Sequence, residues 1–247
     1  MIVIPMAGQS RRFQEAGFSR PKYEMPLLGE SLFACCIRSF ERYFRSERFV
    51  FICRNDVDAA RFVNAECERL GIADYLIVSL AEPTRGQAET VLLGLQGAGY
   101  SGNESLLIFN IDTIRPHYIF PVAATWCDGY LDVFSGEGDG WSFVRPSASY
   151  GALVAQTTEK QRISSLCCTG LYYFARAADF AEVCEDALRN SEAYQRQWKE
   201  LYIAPMYNTL IAQGKRIMYH ETSSDEVHFS GTPAEYKALM ARERSLF

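Results

Sequence analysis

Ala7-Gly8-Gln9-Ser10 is a run of small and polar residues between an apolar segment, Ile2-Val3-Ile4, and two arginines, Arg11 and Arg12. A buried strand that passes through a glycine-containing loop into a helix start leaves backbone N–H groups pointing outward. Such a place binds anions, phosphate above all. Arg12 and Lys22 add fixed positive charge beside it. Asp112 stands at the end of another apolar run, in Phe109-Asn110-Ile111-Asp112-Thr113. A carboxylate there is costly unless partnered, and it commonly faces a ligand or a metal. The alternative is that Asp112 caps a following helix, with Pro116 shortly after. Mg²⁺ takes one or two protein carboxylates and completes its shell with water and substrate phosphates, so one Asp opposite a phosphate loop is sufficient in principle. The loop is not a P-loop, because G-x-x-x-x-G-K-[ST] is absent, and G-x-G-x-x-G is absent too. A ligand-free strand–glycine–helix turn with solvated arginines is the competing reading.

Two further groups have the right chemistry. Gly86-Gln87-Ala88-Glu89-Thr90 opens a helical stretch with small residues that let a flat group approach, and Gln87 offers a donor and an acceptor to a base edge. An ordinary helix start after Pro83-Thr84-Arg85 is the alternative. Glu159-Lys160 is a polar pair that faces a substrate or forms a surface turn. The histidines His117, His220 and His228 are scattered, show no metal-ligand spacing and are assigned no role. The eight cysteines have no C-x-x-C pair and sit among apolar neighbours, so they read as small buried hydrophobes. No Gly-x-Ser-x-Gly elbow supports acyl transfer.

The elements that must position these groups follow from periodicity. Apolar runs predict strands at Ile2–Ile4, Arg48–Cys53, Tyr75–Leu80 and Ser105–Ile111, and helical spacing predicts helices at Ser31–Phe44, Val57–Leu70 and Ala88–Leu95. Strands that are apolar throughout, alternating with helices, imply an α/β fold with a mainly parallel sheet covered on both faces. Ligands of such sheets bind beyond the carboxyl ends of the strands, where the opening loop and Asp112 both fall. The middle is β-rich, with expected strands at Gly129–Phe134, Trp141–Val144, Tyr150–Ala155 and Leu166–Phe174, placed over one end of the sheet. Helices at Ala178–Leu188 and Tyr202–Ala212 and a strand at Arg216–His220 follow. Thr232, Pro233 and Glu235 make a capping box for the last helix.

These pieces together resemble the sugar-phosphate nucleotidyltransferase family over nearly the whole chain. Pro5-Met6-Ala7-Gly8-Gln9-Ser10-Arg11-Arg12-Phe13 is similar to its A-G-x-[GS]-x-R-[FL] signature and Pro21-Lys22 to its P-K. Gly86-Gln87-Ala88-Glu89 resembles the base-binding helix start, and Asn110-Ile111-Asp112 the strand end that carries the metal Asp. Glu159-Lys160 with Thr169-Gly170-Leu171-Tyr172-Tyr173-Phe174, and Gly231-Thr232-Pro233, resemble later motifs in family order. The resemblance implies a Rossmann-like three-layer sandwich with a mixed, mainly parallel sheet and a β-rich section over the substrate. It implies a reaction without a protein nucleophile, in which a phosphate oxygen attacks the α-phosphorus of a nucleoside triphosphate and pyrophosphate leaves. By resemblance, Ala7, Gly8, Gln9, Ser10, Gln87 and Ala88 hold the nucleotide, Arg12 and Lys22 neutralise charge, and Asp112 holds Mg²⁺. Glu159, Lys160 and Gly170 then face the phosphorylated acceptor.

The chain departs from the family in its late segment. Many members carry W-x-D-[VI]-G-T with a second metal Asp, but here Phe229 stands at that position within Asp225-Glu226-Val227-His228-Phe229-Ser230-Gly231-Thr232. Asp225 or Glu226 substitutes from a shifted position, or Asp112 acts alone. Pro21-Lys22-Tyr23 and Asn110-Ile111-Asp112-Thr113 also resemble short capsule-locus members, some of them cytidylyltransferases acting on a non-sugar phosphate such as phosphoglutamine. A glycosyltransferase of similar fold using a nucleotide-sugar, and a non-catalytic nucleotide-binding protein, are the alternatives.

Composition bounds the rest. The chain has 247 residues, 48% hydrophobic, 22% charged and 13% aromatic, which suits one ordered domain with an ample core. The expected division is a nucleotide-binding half over 1–125, an acceptor half over 126–230 and a closing helix over 231–247. A net charge of −5 speaks against a nucleic-acid partner. No apolar run approaches the ~20 residues of a membrane span, and the chain starts on a core strand rather than a signal peptide, so a cytoplasmic protein is expected. A homo-oligomer is left open.

Overall fold

The computed structural model describes residues 1–55, 58–148 and 151–241. One nine-stranded sheet carries the fold. Its main path runs Val154–Glu159, Ser142–Pro146, Leu166–Phe174, Leu106–Phe109, Ile2–Pro5, Arg48–Arg54, Asp74–Leu80; Gly129–Ser135 pairs with Leu166–Phe174, and Ile217–Thr222 pairs with Gly129–Ser135. The four strands from the first half are parallel to one another. Leu166–Phe174 joins them antiparallel and so carries the sheet over into the β-rich second half.

Period-2 geometry explains why the strands are apolar on both sides. Ile2, Ile4, Phe49, Phe51, Leu107 and Phe109 enter one buried cluster, with Phe33, Phe40 and Val63 from the helices Leu32–Ile37 and Ala59–Leu70 and the turn between them. Their alternates Val3, Val50, Ile52, Leu106 and Ile108 enter a second cluster, with Val91 and Leu95 of helix Gln87–Ala98, Phe180 of Ala177–Arg189 and Tyr207 of Tyr207–Ala212. Two helical layers therefore cover the sheet, as expected for a Rossmann-like sandwich. Helix Gln87–Ala98 seats closely because Gly94 faces Ile52: a Cβ there would lie 2.1 Å from Ile52 Cδ1.

Several boundaries differ from the periodicity. The helix expected over Ser31–Phe44 is a six-residue α-helix, capped by Ser31 Oγ, that tightens into a 3₁₀ stretch at Arg38–Tyr43; Phe40, at φ −108° and ψ 20°, breaks the helical path as its ring packs into the core. The strand expected at Tyr150–Ala155 lies at Val154–Glu159, which takes Glu159 out of a turn and into the sheet; Tyr150 is outside the described residues. So are Val57, expected to start the second helix, and residues 242–247 of the expected closing helix. The helix expected from Tyr202 starts only at Tyr207, after a 3₁₀ turn at Ala204–Met206 that holds Pro205. Asp112 caps no helix. It leads into the short strand Thr113–Ile114, which pairs antiparallel with His228–Phe229. The capping box forms in both directions: Glu235 N–H donates to Thr232 Oγ1 at 3.2 Å, and Thr232 N–H to Glu235 Oε2 at 2.8 Å. Among the described residues no helix is long and apolar enough to cross a membrane.

All eight cysteines are free and buried. Burial alone or foremost pushes the thiols of Cys35, Cys53, Cys67 and Cys184 up to about 12. Thiolate is the reactive form, so all eight should be inert to a disulfide reagent in the native protein and all should react once it is unfolded. Rapid native reaction of even one thiol in a timed titration would contradict this packing.

Candidate active site

Parallel strands end on one edge of the sheet, and each strand end delivers one part of a site. Ile2–Pro5 runs into Ala7–Ser10, where Ser10 takes a left-handed conformation at φ 51° and the short helix Arg11–Glu15 follows. Leu106–Phe109 runs into Asn110-Ile111-Asp112. Gly86 precedes helix Gln87–Ala98. These termini line a cavity of about 600 Å³, together with Lys22 and Arg54. A second cavity of about 440 Å³ lies against the β-rich half, lined by Glu159, Lys160, Gly170, Trp141, Tyr202 and Phe229 among others. The two share Arg12, Gln87, Asn110, Asp112 and Gly231, so these residues stand at the seam.

The seam is held by specific contacts. Lys22 Nζ donates to Asp112 Oδ2 at 2.6 Å, with both side chains mostly covered. Gln87 Nε2 donates to Asn110 Oδ1. Asn110 N–H donates to Gly170 O at 3.0 Å, and a Cβ on Gly170, at φ 94°, would lie 2.6 Å from Asn110 Nδ2. Glycine at that position is thus needed twice, for the backbone angle and for the close approach of Asn110. Gly231 is held beside Asp112 because Ser230 donates to Asp112 O from its N–H at 2.8 Å and its hydroxyl at 3.0 Å. A Cβ on Gly231 would lie 3.1 Å from Asp112 Oδ2 and 3.6 Å from Glu235 Oε2. Two carboxylates therefore face the small gap that this glycine leaves open. Gly8 is different: a Cβ there would meet no protein atom within 4 Å, so neither crowding nor a left-handed backbone demands glycine.

In the second cavity Glu159 is buried with its side chain 8% exposed, and burial raises its pKa although the Ser142 hydroxyl bonded to it works the other way. Its Oε1 has Lys160 Nζ at 3.9 Å, too long for a hydrogen bond. Lys160 instead donates to the Tyr202 hydroxyl at 2.6 Å and lies over that ring. Burial works against the Lys160 charge, but Tyr202 and Glu159 outweigh it and the pKa rises. Phe229 packs against Trp141, with ring centroids 4.6 Å apart, and against Phe134, so this wall is aromatic.

Of the residues expected from sequence, Ala7, Gly8, Gln9, Ser10, Arg12, Lys22, Gln87 and Asp112 line the first cavity and Glu159, Lys160 and Gly170 the second. Ala88 is fully buried behind them and lines neither. Asp225 is also in neither: it is solvent-exposed and bonded to Ser223, whose hydroxyl lowers its pKa. Glu226 turns to Thr222 and Arg115. The acid that reaches the Asp112 gap is Glu235, whose place in the capping box had accounted for it in the sequence. Tyr202, which also lines the second cavity, carried no motif. Among the described residues no group of three His, Cys, Asp or Glu is gathered as a metal site.

No protein-family model matches the chain, and no curated protein does. Solved structures do. The nucleoside-diphosphate-sugar pyrophosphorylase of Vibrio cholerae RC9 is 46% identical over 98% of this chain and all of its own, with a TM-score of 0.92. A candidate glucose-1-phosphate thymidylyltransferase from Bacillus anthracis shares the fold at 16% identity, covering 100% of this chain and 96% of its own, with a TM-score of 0.79. The inositol-1-phosphate CTP transferase of T. maritima does so at 14% identity, 98% and 97% coverage and a TM-score of 0.72. Near-complete coverage at close to half identity carries the assignment: the chain belongs to the nucleoside-diphosphate-sugar pyrophosphorylase family of nucleotidyltransferases.

Proposed function

We propose that the protein transfers a nucleoside monophosphate from a nucleoside triphosphate, CTP by preference, to a phosphorylated small molecule and releases pyrophosphate. The acceptor is a sugar 1-phosphate or a phospho-amino acid such as phosphoglutamine, and the product serves surface-polysaccharide synthesis. One observation supports this most: two cavities of substrate size meet at a seam lined by Arg12 and Asp112, with Lys22 bonded to Asp112. A transfer between two bound phosphates needs that arrangement. The preference for CTP rests on the capsule-type segments Pro21-Lys22-Tyr23 and Asn110-Ile111-Asp112-Thr113.

In this reading an oxygen of the acceptor phosphate attacks the α-phosphorus, the bond from that phosphorus to the oxygen bridging to the β-phosphate breaks, and pyrophosphate leaves with the electron pair. The protein orients the two phosphates in line and neutralises the charge that accumulates between them. Ala7–Ser10 cradles the nucleotide phosphates, and the space over Gly8 is left for them. Gln87, fixed by Asn110, reads the base. Arg12 meets the departing pyrophosphate, and Lys22 shares its charge between Asp112 and the reacting phosphate. Glu159 Oε1 accepts a hydrogen bond from the acceptor, and Lys160 stands beside it. No side chain is needed as nucleophile, in keeping with the buried thiols.

The donor set suits Mg²⁺. Asp112 Oδ2 already carries a cation, the Lys22 ammonium, and it faces with Glu235 Oε2 the gap at Gly231. Asp112 would hold the ion, with Glu235 the acid beside it, and substrate phosphates complete the shell. Bound there, Mg²⁺ supplies charge neutralisation at the phosphate oxygens.

With Mg²⁺, the purified protein should release pyrophosphate from one nucleoside triphosphate in the presence of a phosphorylated acceptor. Failure across all common triphosphates and a panel of sugar and non-sugar phosphates would sink the proposal, and glycosyl transfer from a nucleotide-sugar without pyrophosphate would replace it. Arg12→Ala and Lys22→Ala should each lower turnover well over tenfold, since loss of one preorganised charge costs on the order of 3 kcal/mol. Wild-type rates in both would remove them from the site. Asp112→Asn should raise the Mg²⁺ concentration needed for half-maximal rate more than any other single change. Gly231→Ala should raise it too, because its methyl group intrudes on the gap. A metal titration unchanged in both would place the ion elsewhere.

A further inference from the structure

Asp132 lies in the middle of strand Gly129–Ser135 and is 0% exposed. Its Oδ2 accepts from Thr169 Oγ1 at 2.9 Å and from Arg115 Nε at 3.3 Å, and its Oδ1 contacts His220 Nδ1 at 3.0 Å. Arg115 is itself buried. Its backbone N–H donates to Ser39 Oγ at 2.9 Å, and its guanidinium donates to Glu226 O at 3.3 Å and lies 3.7 Å from Glu226 Oε2. A buried ion pair is a poor source of stability, because desolvation offsets its attraction and apolar residues of the same volume serve as well. What it does enforce is geometry, since each charge must stay where its partners are.

Those partners lead to the second cavity. Thr169 lines it, and Thr169 O also accepts from Thr113 Oγ1 at 2.9 Å, next to Asp112. Glu226 begins the segment that closes the cavity. There Val227 is buried, Phe229 pairs with Thr113, Ser230 bonds Asp112 O, and Gly231 faces Asp112 Oδ2. Among the described residues, none of the polar partners of Arg115 or Asp132 lines the first cavity. We propose that Arg115 and Asp132 are positioning residues for the acceptor, fixing Thr169 as its floor and holding segment 226–232 against Asp112. This rests on the reading of the second cavity as the acceptor site.

The test measures hydrogen exchange and substrate dependence in Asp132→Asn and His220→Ala, the second removing a partner of the same carboxylate from the side that reaches solvent. Amides of 226–232 should exchange about tenfold faster in Asp132→Asn and less so in His220→Ala, while those of the 5–16 loop keep wild-type rates. The acceptor KM should rise about fivefold or more with the KM for the triphosphate within about twofold. Wild-type exchange over 226–232 in either folded variant, or equal loss toward both substrates, would overturn the proposal. If Asp132→Asn does not fold, His220→Ala decides it alone. The exchange measurement needs no turnover, so it stands even if no acceptor yields pyrophosphate, an outcome that would count against the proposed reaction and not against this pair.

Discussion

Lys22 and Asp112 are separated by 90 residues, and the contact between them sets the distance between the opening loop and the end of strand Leu106–Phe109. Both side chains are mostly covered there. Asp112 sits above a fully apolar strand and Lys22 above the buried Tyr23, so each provides what the other needs in place of bulk water. A cation arriving at Asp112 competes with an ammonium group already bonded to it. An anion arriving at the loop finds that ammonium ready to be shared. The pair is thus a balanced arrangement of charge at the point where the two cavities meet.

The second half of the fold depends on one strand, Leu166–Phe174, that pairs with three others. Residues 171–174 pair with Leu106–Phe109, while residues 166–168 and 172–174 both pair with Gly129–Ser135, with a register shift between Cys168 and Tyr172. The irregularity falls at Thr169-Gly170. Gly170 turns left-handed, its carbonyl accepts from Asn110, and Thr169 points its hydroxyl down to Asp132. Irregularities of this kind re-aim side chains at sites, and here one of them serves both the seam and the floor of the second cavity.

Much of this was legible in the sequence, for physical reasons. Strands buried on both faces must be apolar throughout, and a polar residue that ends such a run, like Asp112, has to be accounted for. The capping box at Thr232 fixed a helix start in the same way. The helix Ser191–Trp198 was missed because Tyr194 and Trp198 are its only large apolar residues, too few to show a stripe. The break at Phe40 was missed because its ring keeps helical spacing while its backbone does not. At the site, short motifs marked the loop, Lys22, Asp112 and Glu159-Lys160. Glu235 was hidden because one carboxylate oxygen both caps the helix and faces the gap at Gly231. Arg115 and Asp132 were hidden because nothing local announces that two charges far apart in sequence will be buried together.

The chain around Leu201 joins the two cavities directly. Leu201 N–H donates to Arg85 O at 3.0 Å, Ala88 N–H donates to Leu201 O at 2.9 Å, and a Cβ on Gly86 would lie 2.5 Å from Leu201 N. On one side of Leu201, Glu200 lines the first cavity; on the other, Tyr202 lines the second and holds Lys160. The Gly86–Ala88 turn and Tyr202 are thus tied through a single close backbone crossing, with Tyr202 in turn holding Lys160. Any coupling of two ligands through this crossing would be equal in both directions, whichever arrives first, because linkage between two binding equilibria is reciprocal.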